Sequence, residues 1–302
     1  MRLLTLCRCV SLVLLVLTAI EVRADLSTKQ ARKLITRVAG FELPSNTVRV
    51  TRISATNDSA AEATAEILAT FRLAADEHGA WRVSELRGGP NQWESLELLS
   101  TSAAVEVAAS DCDIPDPANK ELSATGPSVK RARCLIAALL GVQLPSDSVR
   151  IKNVDPLALP LASSPSAVVE ALITIAVRFE RNHGTGWAVS GLRSGGRDWV
   201  SLESLVGAAN EEKAKRVRAD LQEMAQALEE FRSERRSYVI SDSHVILIDH
   251  LSPRYLSRVI RVDPWHRPYQ YRGDSQSFTL RSIGPDGKES TPDDILINGP
   301  TR

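Results

Sequence analysis

The stretch Ala214-Lys215-Arg216-Val217-Arg218-Ala219-Asp220-Leu221-Gln222-Glu223-Met224-Ala225-Gln226-Ala227-Leu228-Glu229-Glu230-Phe231 decides the reading of the C-terminal third of this chain. Its apolar residues Ala214, Val217, Leu221, Met224, Leu228 and Phe231 recur every three or four positions, which places them on one stripe of an α-helix. The intervening residues are Glu, Lys, Arg, Gln and Ala, all good helix formers. A helix is therefore predicted over Glu211–Arg236. One apolar stripe has to be buried. The material downstream that can cover it is a set of short runs, Val245–Ile248, Tyr269–Arg272 and Ser277–Ile283, which read as strands between turns. The expectation is a long helix laid on a small antiparallel sheet.

After those runs comes Gly284-Pro285-Asp286-Gly287-Lys288-Glu289-Ser290-Thr291-Pro292-Asp293-Asp294, where Pro and Gly exclude regular structure. Three pieces in order then carry a resemblance: the helix from Val217 to Arg232 followed by Tyr238; Asp263-Pro264-Trp265 with Pro268-Tyr269-Gln270-Tyr271; and Ser282 to Lys288 ending in Asp293-Asp294-Ile295. Together they resemble the C-terminal domain of the major pseudopilin of type II secretion systems, the G subunit, over residues 211–298. The resemblance implies a pilin-like head and a structural Ca²⁺ in the acidic loop. Asp286, Asp293 and Asp294 stand where the family's acidic positions fall. A hard cation of this kind takes oxygen ligands from carboxylates and loop carbonyls. Pro292 departs from the family's loop, and the alternative is a solvated acidic turn.

Another departure is larger. A pseudopilin begins with a short basic leader and about 20 apolar residues that form anchor and filament core. Here the helix is preceded by Val206-Gly207-Ala208-Ala209-Asn210. The head is thus expected to be detached from any polymerising segment and unable to build a filament shaft.

At the other end, Arg2 and Arg8 precede an apolar run from Val10 to Ile20, and Val22-Arg23-Ala24 supplies a small-x-small exit. This reads as a cleaved secretory signal over residues 1–24, the alternative being an uncleaved anchor. Cys7 and Cys9 leave with it, so Cys112 and Cys134 remain in an exported chain. In an oxidising compartment such a pair reads as a disulfide, the alternative being two free thiols.

Residues 27–99 recur as residues 128–205. Leu43-Pro44-Ser45 and Val48-Arg49 match Leu144-Pro145-Ser146 and Val149-Arg150 at an offset of 101. Trp81, Leu86-Arg87, Gly89, Trp93 and Ser95-Leu96-Glu97 match Trp187, Leu192-Arg193, Gly195, Trp199 and Ser201-Leu202-Glu203 at an offset of 106. Each copy reads as one helix (Thr28–Ala39; Ser128–Leu140) and three strands. The second strand alternates strictly, with Ile67, Ala69, Phe71 and Leu73, or Ile173, Ile175, Val177 and Phe179, facing inward. The predicted fold is α+β: two tandem α-β-β-β modules (residues 25–100 and 128–206) joined by an Ala/Ser/Asp/Pro-rich linker (101–127), then the head from 207.

The remaining chemistry is sparse. Lys plus Arg and Asp plus Glu each number 37, so the chain has no electrostatic case for nucleic acid. His244 and His250 flank the run read as a strand, whose spacing would put both on one face; surface residues are the plainer reading. Ser241, Asp242 and His244 lack the elbow and oxyanion glycines of a hydrolase. Trp265, Tyr269 and Tyr271 read as core packing, and Arg87 with Trp93, repeated as Arg193 with Trp199, as structural cation–π pairs. The expected function is non-catalytic: an exported binding or assembly protein acting with protein partners of the cell envelope, secretion-machine subunits among them. The alternative is a small-ligand or peptide binder that uses the duplicated modules.

Overall fold

Ser27 and Ser128 stand at the same place in the two copies, and each caps a helix. The Ser27 hydroxyl accepts from the Gln30 N–H at 3.2 Å and starts α1 (Thr28–Ile35). The Ser128 hydroxyl accepts from the Arg131 N–H at 3.3 Å and starts α2 (Val129–Leu140). Helix α2 stops at Gly141, whose φ of 65° is the left-handed conformation that glycine adopts without strain. The matching Gly40 lies outside the described residues. The computed structural model describes residues 25–38, 41–96, 112, 126–157, 165–182, 184 and 186–300. The signal-like segment and most of the expected linker lie outside that set.

Copy one continues with β1 (Val48–Asn57), β2 (Ala60–Ala75), β3 (Trp81–Gly89) and β4 (Gln92–Ser95). Copy two gives β5 (Val149–Leu157), β6 (Ser166–Asn182), β7 (Gly186–Ser194) and β8 (Val200–Ser201). Along β2 every second residue, from Ala61 to Ala75, is buried, as period-two alternation requires. Ile173, Val177 and Phe179 are buried on β6, while Ile175 is only half-buried. Strands β1 and β3 share one edge of β2, pairing with its first and second halves. The other edge of β2 runs antiparallel against β6 from Ala60↔Glu180 to Ala74↔Ser166. A single eight-stranded sheet results.

The two copies, read from the sequence as tandem modules, share one core in the structure. Helix α1 lies against β1 and also against β7 of the other copy, and α2 against β5 and β3. Ala31, Ile35, Ala132, Leu135 and Ile136 of the helices enter one apolar cluster with Phe71, Phe179 and Trp81. The physical reason is the long second strand. Alone, it would leave a full edge of backbone donors and acceptors unpaired. Pairing it with its counterpart satisfies that edge and makes one apolar face of two. Cys112 is tied to α2 through a disulfide with Cys134, Cα–Cα 5.7 Å.

Strand β8 leads directly into α3 (Leu202–Arg235), capped by Ser201, whose hydroxyl accepts from the Ser204 N–H at 3.2 Å. The helix starts before the predicted Glu211 because Ser201 caps it there and Gly207 is tolerated inside it. Val217, Leu221, Met224 and Leu228 of the predicted stripe are fully buried, and Ala214 and Phe231 partly so. The stripe covers β10 (Phe278–Ser282) and β11 (Ile295–Asn298), and β9 (Gln270–Gly273) completes the sheet in the order β11-β10-β9. A long helix on a small antiparallel sheet is therefore what the C-terminal region forms.

One strand was misplaced. Val245–Ile248 belongs to a helix, α4 (His244–Leu251). Its β-branched residues suggested a strand, but the buried residues His244, Leu247, Ile248 and Leu251 have helical spacing, and Val245 and Ile246 face solvent. The third strand comes instead from Ile295–Asn298, after the acidic loop.

Candidate functional site

The acidic loop hangs between β10 and β11, so its two ends are held by neighbouring strands. Ser282, fully buried, donates its hydroxyl to Asp263 Oδ2 at 2.7 Å and accepts the Gly284 N–H at 3.3 Å. Gly284 has φ of 62°, and a Cβ there would lie 2.4 Å from the Asp293 carbonyl oxygen, so the close approach of the loop's two limbs requires glycine. The Asp286 N–H donates to Asp293 Oδ2 at 3.1 Å, the Lys288 N–H to Asp286 Oδ1 at 2.8 Å, and the Ser290 N–H to Asp294 Oδ2 at 2.9 Å. The loop thus folds around its own carboxylates, as Asx turns do.

The structure brings Asp286, Asp293 and Asp294 together. The Thr291 hydroxyl lies 2.6 Å from Asp293 Oδ1 and 3.4 Å from Oδ1 of both Asp286 and Asp294. Thr291 was not singled out in the sequence, although a hydroxyl two and three positions before paired aspartates in a Pro-punctuated loop was a signal for it. The Thr291 hydroxyl and then the Asp286 N–H hold the Asp293 carboxyl below its ordinary value. Asp294 is nearly buried and lies 3.7 Å from Arg281 Nε. Arg267 donates to the carbonyls of Gly284 and Pro285. Among the described residues, no group of three or more acidic, His or Cys side chains is arranged to hold a metal ion. In this geometry the carboxylates serve the loop's own N–H groups.

Where the head meets copy one, a cleft of about 630 Å³ is lined by Trp93, Glu94, Arg216, Asp220, Arg258 and His266 among others. Its charges are internally paired. Asp220, almost fully buried, accepts from Arg258 Nη2 at 2.6 Å and from the Tyr269 hydroxyl at 2.9 Å, and sits 3.1 Å from Arg216 Nε. Burial, then the Asp220 charge, push the Tyr269 hydroxyl far above its ordinary value. Glu94 contacts Lys213 Nζ at 2.7 Å and His266 Nε2 at 2.9 Å. Burial alone would raise the Glu94 carboxyl, but hydrogen bonds from His266 and Lys213 outweigh it and hold it below its ordinary value.

The other weighed residues take structural roles. His244 and His250 are not a pair: on a helix a spacing of six separates their directions. His244 is buried, its Nε2 has no hydrogen-bond partner among the described residues, and burial pushes its ring down to about 4, so it is neutral at pH 7. His250 is exposed, with its ring 5.9 Å from that of Phe231. Arg193 stacks on Trp199 at 4.7 Å as expected, but Trp93 is covered by Arg72 at 4.2 Å. Arg87 instead donates to the Gly89 and Pro90 carbonyls. Arg178, the counterpart of Arg72, also stacks on Trp199, at 4.3 Å. Trp265 packs against the head core and donates its indole N–H to Asn210 Oδ1 at 2.9 Å.

The C-terminal region is thus a long helix, then a small antiparallel sheet with the acidic loop between its last two strands. The family model for type II secretion system (T2SS) protein G matches residues 204–298, which are this head, and does not extend over residues 1–203. No curated protein matches the chain, and no solved structure does.

Proposed function

We propose that this chain is an exported, non-catalytic binding or assembly protein of the cell envelope. Its head would dock onto subunits of a type II secretion machine. The observation that carries this reading is the coincidence of the family match, residues 204–298, with one folded unit that contains the acidic loop. The duplicated sheet, outside the match, would add a surface of its own.

The loop's chemistry suits Ca²⁺. Its donors are oxygens only: Asp286, Asp293 and Asp294, converging on Thr291, with loop carbonyls between them. A bound Ca²⁺ would supply positive charge that lets the three carboxylates sit together, ordering the loop without taking part in any reaction. These residues would need to turn from the loop N–H groups to the cation.

Capture from detergent-treated envelopes with the tagged full chain tests the docking. Secretion-machine subunits should be recovered, and their absence under conditions that capture other envelope complexes would overturn it. For the loop, Ca²⁺ should raise the melting temperature and a chelator reverse the shift, with Asp293→Ala abolishing it. A wild-type chain with no shift would remove calcium from the proposal.

A further inference from the structure

The five residues Asp263–Arg267 reach β10, α3, copy one and the acidic loop. The Asp263 side chain, 2% exposed, accepts the N–H groups of Trp265 at 2.9 Å and Arg267 at 3.0 Å and the Ser282 hydroxyl at 2.7 Å. It therefore pins a tight turn onto β10. Within that turn His266 takes φ of 65°, which a side-chain-bearing residue adopts only when its surroundings hold it there. From this position its ring meets Glu94 of copy one at 2.9 Å. Trp265 binds Asn210 on α3, and Arg267 binds the Gly284 and Pro285 carbonyls at the start of the acidic loop. One short turn thus holds copy one with one residue and the acidic loop with the next.

The duplication supplies an independent observation. Trp93, Ser95 and Leu96 recur as Trp199, Ser201 and Leu202, but Glu94 recurs as Val200, which is 39% exposed. Within this short motif that position is acidic only in copy one. There Glu94 binds Lys213 on α3 as well as His266, with side chains only 14%, 11% and 27% exposed. A largely buried carboxylate shared between an ammonium and an imidazole is worth more than an exposed pair, because water screens it less.

We propose that the Asp263–Arg267 turn couples two events: docking of the duplicated sheet on the head through Glu94, and ordering of the acidic loop through Arg267. The path is a contiguous set of hydrogen bonds, from Glu94 through His266, Asp263 and Arg267 to Gly284. By linkage each event strengthens the other. A ligand that orders the loop tightens the dock, and an intact dock raises the loop's affinity for that ligand. The second half rests on the calcium reading above; the first does not.

The test uses the full chain with Glu94→Val, which installs the residue of the other copy, and Glu94→Gln as a milder companion in case the first fails to fold. Amide exchange is followed over residues 259–267 and 284–294, and Ca²⁺ affinity is measured by calorimetry. With circular dichroism unchanged, the variants should show faster exchange in both segments and roughly tenfold weaker Ca²⁺ binding. Faster exchange confined to the surroundings of Lys213 and His266, with the loop and Ca²⁺ affinity unchanged, overturns the coupling. If the wild-type chain binds no Ca²⁺, the calcium reading falls by itself, and exchange in residues 284–294 decides the coupling alone.

Discussion

Ile67 on β2 pairs directly with Ile173 on β6, its own counterpart in the second copy. A strand that pairs antiparallel with its own repeat, centred on equivalent residues, has a local two-fold axis at that point. The same relationship sends Phe71 opposite Val169 and Val177, the counterpart of Phe71, opposite Ala63, the counterpart of Val169. This is the self-complementary interface of a symmetric dimer, built within one chain.

Copy one by itself, residues 25–96, is accordingly predicted to self-associate through β2, with Ile67 facing Ile67. Light scattering should report a dimer, and a folded monomer would show that the edge is dispensable. In the full chain Ile67→Ala should destabilise by about 2–4 kcal/mol, as for other buried large-to-small changes, measured by denaturant unfolding.

Asp220 and Glu223 both bind Arg258, but their surroundings differ. The Asp220 side chain is 6% exposed and Glu223 is 38% exposed. Asp220→Ala leaves the Tyr269 hydroxyl without its acceptor and takes from Arg258 the better buried of its two carboxylates, and should cost about 2–3 kcal/mol. Glu223→Ala removes a screened partner and should cost under ~1 kcal/mol. Comparable losses for the two would show that Asp220 is not the centre of this cluster.

Acid should destabilise the head through His244. Its ring titrates at about 4 when folded, against an ordinary 6.5. Between those values the unfolded chain takes up a proton that the folded chain does not. Stability present above pH 6.5 is therefore lost as pH falls toward 4. Glu94 acts in the same direction at lower pH: its folded carboxyl lies below the ordinary 4.5, so its contribution is lost as pH falls through that lower value. His244→Gln should flatten the stability profile between pH 6.5 and 4, and Glu94→Gln only the part below 4.5. A His244→Gln profile parallel to wild type would show that the ring is not shielded.

Cys112 and Cys134 are 22 positions apart in sequence, so reduction releases a loop whose closure is worth ~3 kcal/mol in the chain-entropy model. The Cys112→Ser, Cys134→Ser double variant should show that loss on unfolding, without change in the head's near-ultraviolet circular dichroism. An unchanged midpoint would mean that the bond adds nothing to folding.

Where the reading of the sequence departed from the structure, two patterns competed. Val245–Ile248 is rich in β-branched residues, and that local preference concealed the helical spacing of Leu247, Ile248 and Leu251 with His244. Arg87 and Trp93 lie six positions apart and do pair across β3 and β4, which suggested a stack, yet Arg72, on the adjacent strand β2, reaches the ring. The three loop aspartates were legible as a group from the loop's composition and from the resemblance to the family. Thr291, the hydroxyl that they share, became visible only when the loop was closed.

The sequence by itself determined the elements: the apolar stripe of α3, the alternation along β2 and β6, the stop at Gly141, the duplication and the acidic loop. These follow from periodicities of 3.6 and 2 and from backbone restrictions that act within a few residues. Only the tertiary structure decided that the two copies share one sheet and one core, and that Glu94 but not Val200 holds the head. Those outcomes depend on which edges and faces meet. Pairs such as Ile67 with Ile173 or Glu94 with His266 are remote along the chain and leave no periodic trace in it.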